Sequence, residues 1–131
     1  MRTDKQLSYC IDTLMDCINI EHHPNDYKEY IDKTPNSRYR IEEIFSRINR
    51  EYDLSIMVQK VRPTPSNVRI YLSNAFILVK LKDGWSVALE MGYNDMRVKI
   101  RIPGFDYINV TMSQLMTVIE DMYVIKYEGW K

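Results

Sequence analysis

The chain changes its hydrophobic period twice. Between residues 4 and 20, Leu7, Ile11, Leu14 and Ile18 recur at helical spacing with Cys10 and Met15 beside them, which predicts an amphipathic helix. Thr3-Asp4-Lys5-Gln6 opens it as a capping box, in which the threonine hydroxyl serves an orphan amide and Gln6 reaches back. His22, His23 and Pro24 end the pattern. The polar stretch to Ser37 carries no period, although residues 26–32 suit one helical turn. From residue 38 to 52, Ile41, Ile44, Phe45, Ile48 and Tyr52 trace one face, and Glu43, Arg47 and Glu51 pair at i,i+4 on the opposite side, predicting a second helix.

At Leu54 the spacing falls to two. Leu54, Ile56 and Val58 begin a strand closed by Arg62-Pro63-Thr64-Pro65-Ser66. Val68, Ile70 and Leu72 alternate with Arg69 and Tyr71, so residues 68–72 read as the next strand. It turns at Ser73-Asn74 and sets Tyr71 opposite Phe76. Lys82-Asp83-Gly84 reads as a three-residue loop with left-handed Gly84, because that register pairs Leu81 with Trp85, Val79 with Val87 and Ile77 with Leu89. A last hairpin, through Gly92-Tyr93-Asn94-Asp95, pairs Met91 with Met96 and Leu89 with Val98, and puts Glu90 opposite Arg97. An extended piece over residues 105–110 leads to a second capping box, Thr111 to Gln114. Leu115, Val118, Ile119, Met122 and Ile125 then predict a third helix.

These elements describe a single α+β domain over residues 1–131, in the order α-α-β-β-β-β-β-α. Its antiparallel meander of four to five strands has one apolar face, covered by the two N-terminal helices and the C-terminal helix. The length suits one domain, and 45% apolar with 27% charged residues excludes a disordered tail. No apolar run approaches membrane length. Eighteen cations balance eighteen carboxylates, which argues against nucleic-acid binding driven by bulk charge. The balance is uneven along the chain: residues 37–102 are basic, and both ends are acidic.

Chemistry is sparse. Cys10 and Cys17 sit seven positions apart on one helix, about 10 Å at 1.5 Å per residue, which is beyond disulfide reach and suits buried thiols in a reducing, cytoplasmic setting. With His22 and His23 they are the only thiols and imidazoles, and no Cys-x-x-Cys or His-x-x-x-His spacing frames a zinc site. There is no nucleophile elbow and no glycine-rich phosphate loop, and the adjacent acids Glu42-Glu43 and Glu120-Asp121 diverge by about 100° on a helix. No catalytic residue, metal or cofactor is implied.

The other face of the expected sheet is richer. It carries Arg69, Tyr71, Phe76, Lys80, Arg97, Lys99 and Arg101, with Leu78 and Ala88 as an apolar strip among them. Aromatic and Arg residues concentrate interface energy, so these seven are the candidate binding residues of a small non-enzymatic protein-binding module: an inhibitor, an adaptor or a chaperone-like factor. Trp130 is a candidate anchor or cover for that face. Size and lack of motifs suit a phage or accessory-element protein. Cations interleaved with aromatics on an open sheet also suit single-stranded nucleic acid or RNA, which is the alternative. A small hydrolase or nuclease with an unusual site stands third. A protein partner is expected first, with a homodimer as one form of it, and no membrane.

Overall fold

Among the described residues six strands form one antiparallel sheet, and helices pack on both of its faces. The computed structural model describes residues 3–21, 23–92, 94, 96–103 and 106–127. In chain order the elements are α1 (Thr3–Cys17), α2 (Lys28–Lys33), α3 (Arg40–Tyr52), β1 (Ile56–Val61), α4 (Pro65–Leu72), β2 (Phe76–Leu81), β3 (Gly84–Met91), β4 (Arg97–Arg101), β5 (Tyr107–Thr111), α5 (Met112–Val118) and β6 (Ile119–Tyr127). The strands lie in the order β1-β6-β2-β3-β4-β5. The expected α+β class and antiparallel sheet are therefore present, and β2 to β5 form a true meander.

The N-terminal helices fall close to their sequence patterns. α1 stops at Cys17 because Asn19 takes a left-handed φ of 62°, and α3 stops at Asp53 with φ 52°. Residue 22, the tip of the hairpin expected at residues 92–95 (Tyr93 and Asp95), Phe105 and Trp130 lie outside the described residues.

Two expected elements change type. Residues 65–72 form helix α4, because Thr64 accepts a hydrogen bond from the Asn67 amide at 3.1 Å and Pro65 sits in the first turn. Val68 and Leu72 satisfy a period of two and a period of four alike. In the helix they are buried, while Ile70 turns outward at 59% exposure. Ser73-Asn74 is accordingly not a hairpin turn, and Tyr71 does not oppose Phe76. The Thr111–Gln114 capping box is present in both directions, at 3.1 and 2.9 Å, but α5 ends at Val118 and the chain continues as β6. β6 is a central strand paired with both β1 and β2, and Met122 to Ile125 are all buried. A strand covered on both faces loses its alternation, so its apolar positions were compatible with a helix.

Register moves for the same reason. Leu81 pairs with Gly84, Lys80 with Trp85 and Leu78 with Val87, so the loop is Lys82-Asp83, with two residues instead of three. Gly84 does not adopt a left-handed φ. A Cβ there would overlap the Gln6 carboxamide, whose oxygen is buried without a hydrogen-bond partner among the described residues; the Thr3 side chain, the other half of the expected capping box, lies outside what is described. Between Ala88 and Glu90 the register slips, and Glu90 pairs with Lys99, 3.5 Å away, where Arg97 was expected.

The result is two cores. On one face Leu7, Ile11 and Leu14 of α1, Ile31 of α2 and Ile44, Phe45 and Ile48 of α3 pack on Leu78, Trp85, Val87, Tyr123 and Ile125. On the other, Val68 and Leu72 of α4 and Met112 and Leu115 of α5 pack on Ile77, Val79, Ala88, Val98, Ile100 and Met122. The single-faced sheet expected from the sequence is thus replaced by a three-layer arrangement. No helix among the described residues is long and apolar enough to cross a membrane.

Candidate binding surfaces

The seven expected binding residues do not share one surface. Arg69 and Tyr71 belong to α4. Phe76, at the start of β2, packs against the first core, and Leu78 and Ala88 are fully buried. Lys80 is half-buried, donating to the Leu81 carbonyl at 2.7 Å, with Glu120 at 3.6 Å and the Trp85 ring centre at 5.8 Å.

Arg97, Lys99 and Arg101 do remain together, alternating along β4 with Val98 and Ile100 buried between them. Register places Tyr107 of β5 opposite Arg101. The ring lies between two cations, 4.9 Å from Lys99 Nζ and 5.1 Å from the Arg101 guanidinium carbon, and Arg101 donates to the Tyr107 hydroxyl at 3.2 Å. Lys99 faces Glu90 as well. This ledge is a cross-linked surface more than a row of free cations.

A second polar cluster joins α1 to the loop before α2. Asp12 and Asp16 stand one turn apart, and His23, 90% buried at its side chain, sits between them. Its Nδ1 is 3.4 Å from Asp12 Oδ1 and its Nε2 is 3.1 Å from Asp16 Oδ1. Nδ1 also lies 2.9 Å from the Pro24 carbonyl and 3.0 Å from the Tyr27 hydroxyl. Ligand atoms of the three residues come within 4.8 Å of one another. The carboxylates lie toward opposite ring nitrogens, but only Asp16 is hydrogen-bonded to the ring; Asp12 Oδ1 is buried without a hydrogen-bond partner among the described residues. The sequence reading weighed His23 only against the cysteines and missed both aspartates, although their i,i+4 spacing was visible.

Burial, and then the Asp16 charge, hold the Asp12 carboxyl above its ordinary range, with His23 and Arg101 opposing. A carboxyl raised on folding binds its proton more tightly in the folded state. Its contribution is therefore fully present below the unfolded value of about 3.9 and is lost as pH rises through the higher folded value. Urea unfolding of wild type and Asp12→Asn across pH 3–7 is expected to show the wild type losing ground to the variant as pH rises. A constant difference would contradict it.

The third surface is a groove of about 300 Å³ between α4 and the β1–β6 edge. Met57 and Gln59 pair with Lys126 and Val124, so these four share one sheet face, and Ile70 and Tyr71 of α4 form the opposite wall. Met57 and Ile70 are 53% and 59% exposed, two of the most exposed large apolar side chains described. None of these except Tyr71 was on the expected site. The Thr64-Pro65 helix start was the signal that could have turned Ile70 outward.

Comparison with known proteins follows the fold. No protein-family model and no curated protein matches this chain. Among solved structures, the N-terminal peptidase C39 like domain of the toxin secretion ATP-binding protein from Vibrio parahaemolyticus superposes with a TM-score of 0.65, over 98% of this chain and 100% of that one, at 14% identity. The likeness is one of fold. A cysteine peptidase needs a thiolate beside an oriented imidazole. Burial pushes the Cys10 thiol far up, and burial followed by the Asp16 charge raises Cys17. The contacts of His23 are Asp12, Asp16, Pro24 and Tyr27, so among the described residues neither thiol has a hydrogen-bonded imidazole neighbour.

Proposed function

We propose that this domain is a non-enzymatic protein-binding module, inhibitor or adaptor in kind, and that its partner seats in the groove between α4 and the β1–β6 edge. The observation that carries the reading is the convergence of exposed Met57 and Ile70 on one apolar groove, since monomeric surfaces seldom leave such side chains clustered without a partner. Methionine adds an adaptable wall. Nucleic acid weighs less than the sequence suggested, because Lys80 and Lys99 each face a carboxylate and Arg101 is held by Tyr107. The free thiols Cys10 and Cys17 support a cytoplasmic setting.

The test is affinity capture from the native cell with three baits: wild type, Ile70→Asp, and Ile108→Asp as a control at another exposed isoleucine, on β5. Proteins retained by wild type and by the β5 variant are expected to be lost from Ile70→Asp, with all three baits folded by circular dichroism. Equal retention by Ile70→Asp would remove the groove from the interaction.

A further inference from the structure

We infer that the partner binds by adding an extended strand to the outer edge of β1, an inference that rests on the protein-binding reading of the adjoining groove. β1 ends the sheet, so among the described residues one side of it has no neighbouring strand. Asn49 reveals which of its groups face that side. The Asn49 carboxamide accepts from the Ile56 amide at 3.0 Å and donates to the Ile56 carbonyl at 2.9 Å, as a neighbouring strand would. Ile56 therefore directs both backbone groups away from β6.

Antiparallel pairing alternates, so Met57, Gln59 and Val61 bond to β6, while Val58 and Lys60 share the outward sense of Ile56. Among the described residues nothing hydrogen-bonds the outward amides or carbonyls of Val58 and Lys60. An open edge of this kind is a template for another strand, and Asn49 blocks continuation beyond Ile56 and so sets the register.

The chemistry of the added strand follows from its surroundings. Side chains on its groove face would lie beside Met57 and Gln59 and meet Ile70, so alternate positions are apolar. Lys126 stands at the groove with no carboxylate among its lining residues. Lys60 already has Asp121 at 3.4 Å. The occupant is an extended segment of a partner protein with alternating apolar residues and a carboxylate opposite Lys126.

A displayed library of random nine-residue peptides, selected on the intact chain, is expected to return alternating apolar sequences carrying Asp or Glu, and failure to return them overturns the proposal. The best selected peptide then serves as the probe. Its binding should protect the Val58 and Lys60 amides from hydrogen exchange. Backbone N-methylation of the peptide at alternate residues should weaken binding at least tenfold in one phase and little in the other. Val58→Pro should weaken it similarly, because that amide points outward and its loss spares the β1–β6 ladder. A peptide that loses affinity for Ile70→Asp yet ignores N-methylation would leave groove binding standing and sink strand addition. A peptide indifferent to Ile70→Asp and to β1 would sink both. Protection of Val58 and Lys60 without peptide, rising with protein concentration, would replace the partner segment by a second copy of this chain.

Discussion

Leu78→Ala is expected to cost about 2–5 kcal/mol of folding stability, the largest loss among the substitutions considered. Leu78 is fully buried on β2, between its cross-strand neighbours Val87 of β3 and Tyr123 of β6, under the α1 and α3 layer. Strands hydrogen-bonded on both sides cannot move inward, so the cavity left by the lost methyl groups stays open. Leu89→Ala is the informative comparison. It sits at the register slip between Ala88 and Glu90 and is only partly buried, so its truncation should cost clearly less. The one-faced meander demands the reverse order, because it places Leu89 in the core and Leu78 outside. Urea unfolding of the two variants decides between the arrangements.

Asn49→Ala is expected to destabilise by about 1–3 kcal/mol, the usual penalty for leaving buried backbone groups unpaired. Ile56 is 5% exposed, so water cannot readily replace both bonds of the carboxamide. Asn49→Asp should be no milder. It keeps an acceptor for the Ile56 amide but sets a carboxylate oxygen against the Ile56 carbonyl, where a donor had been. In hydrogen exchange, the Ile56 amide should lose protection in both variants while Met57 and Gln59, bonded to β6, keep theirs. Loss of protection along all of β1 would mean that Asn49 holds the strand itself and not only its first residue.

How much of this was legible in the chain depends on which side of the sheet a residue serves. α1 and α3 were readable because each buries one stripe against a single layer, and left-handed Asn19 and Asp53 end them by local sterics. The extents of β2 to β4 were readable from their apolar alternation and the polar breaks between them, whereas the loop at residues 82–84 and the register it set were not. β6 was not, since Met122 to Ile125 are buried on both faces and their spacing carries no sign of strand or helix. α4 is half-legible: Thr64-Pro65 announces a helix, whereas Val68 and Leu72 fit either period and their alternation with Arg69 and Tyr71 favours a strand. Arg97, Lys99 and Arg101 share one face of β4, as their alternation in the sequence implies, but their link to Tyr107 needs the β4–β5 register.

By itself, then, the sequence determined the α+β class, the amphipathic N-terminal helices, the Thr111 cap and the absence of a cofactor motif, all of which rest on interactions within a few residues of one another. Only the tertiary structure decided that helices cover both faces of the sheet, that β6 inserts between β1 and β2, and that Ile70 faces outward beside an unpaired edge. Those outcomes turn on which strand lies next to which. Pairing between strands distant in sequence is set by the burial of whole faces, a quantity that no local period contains.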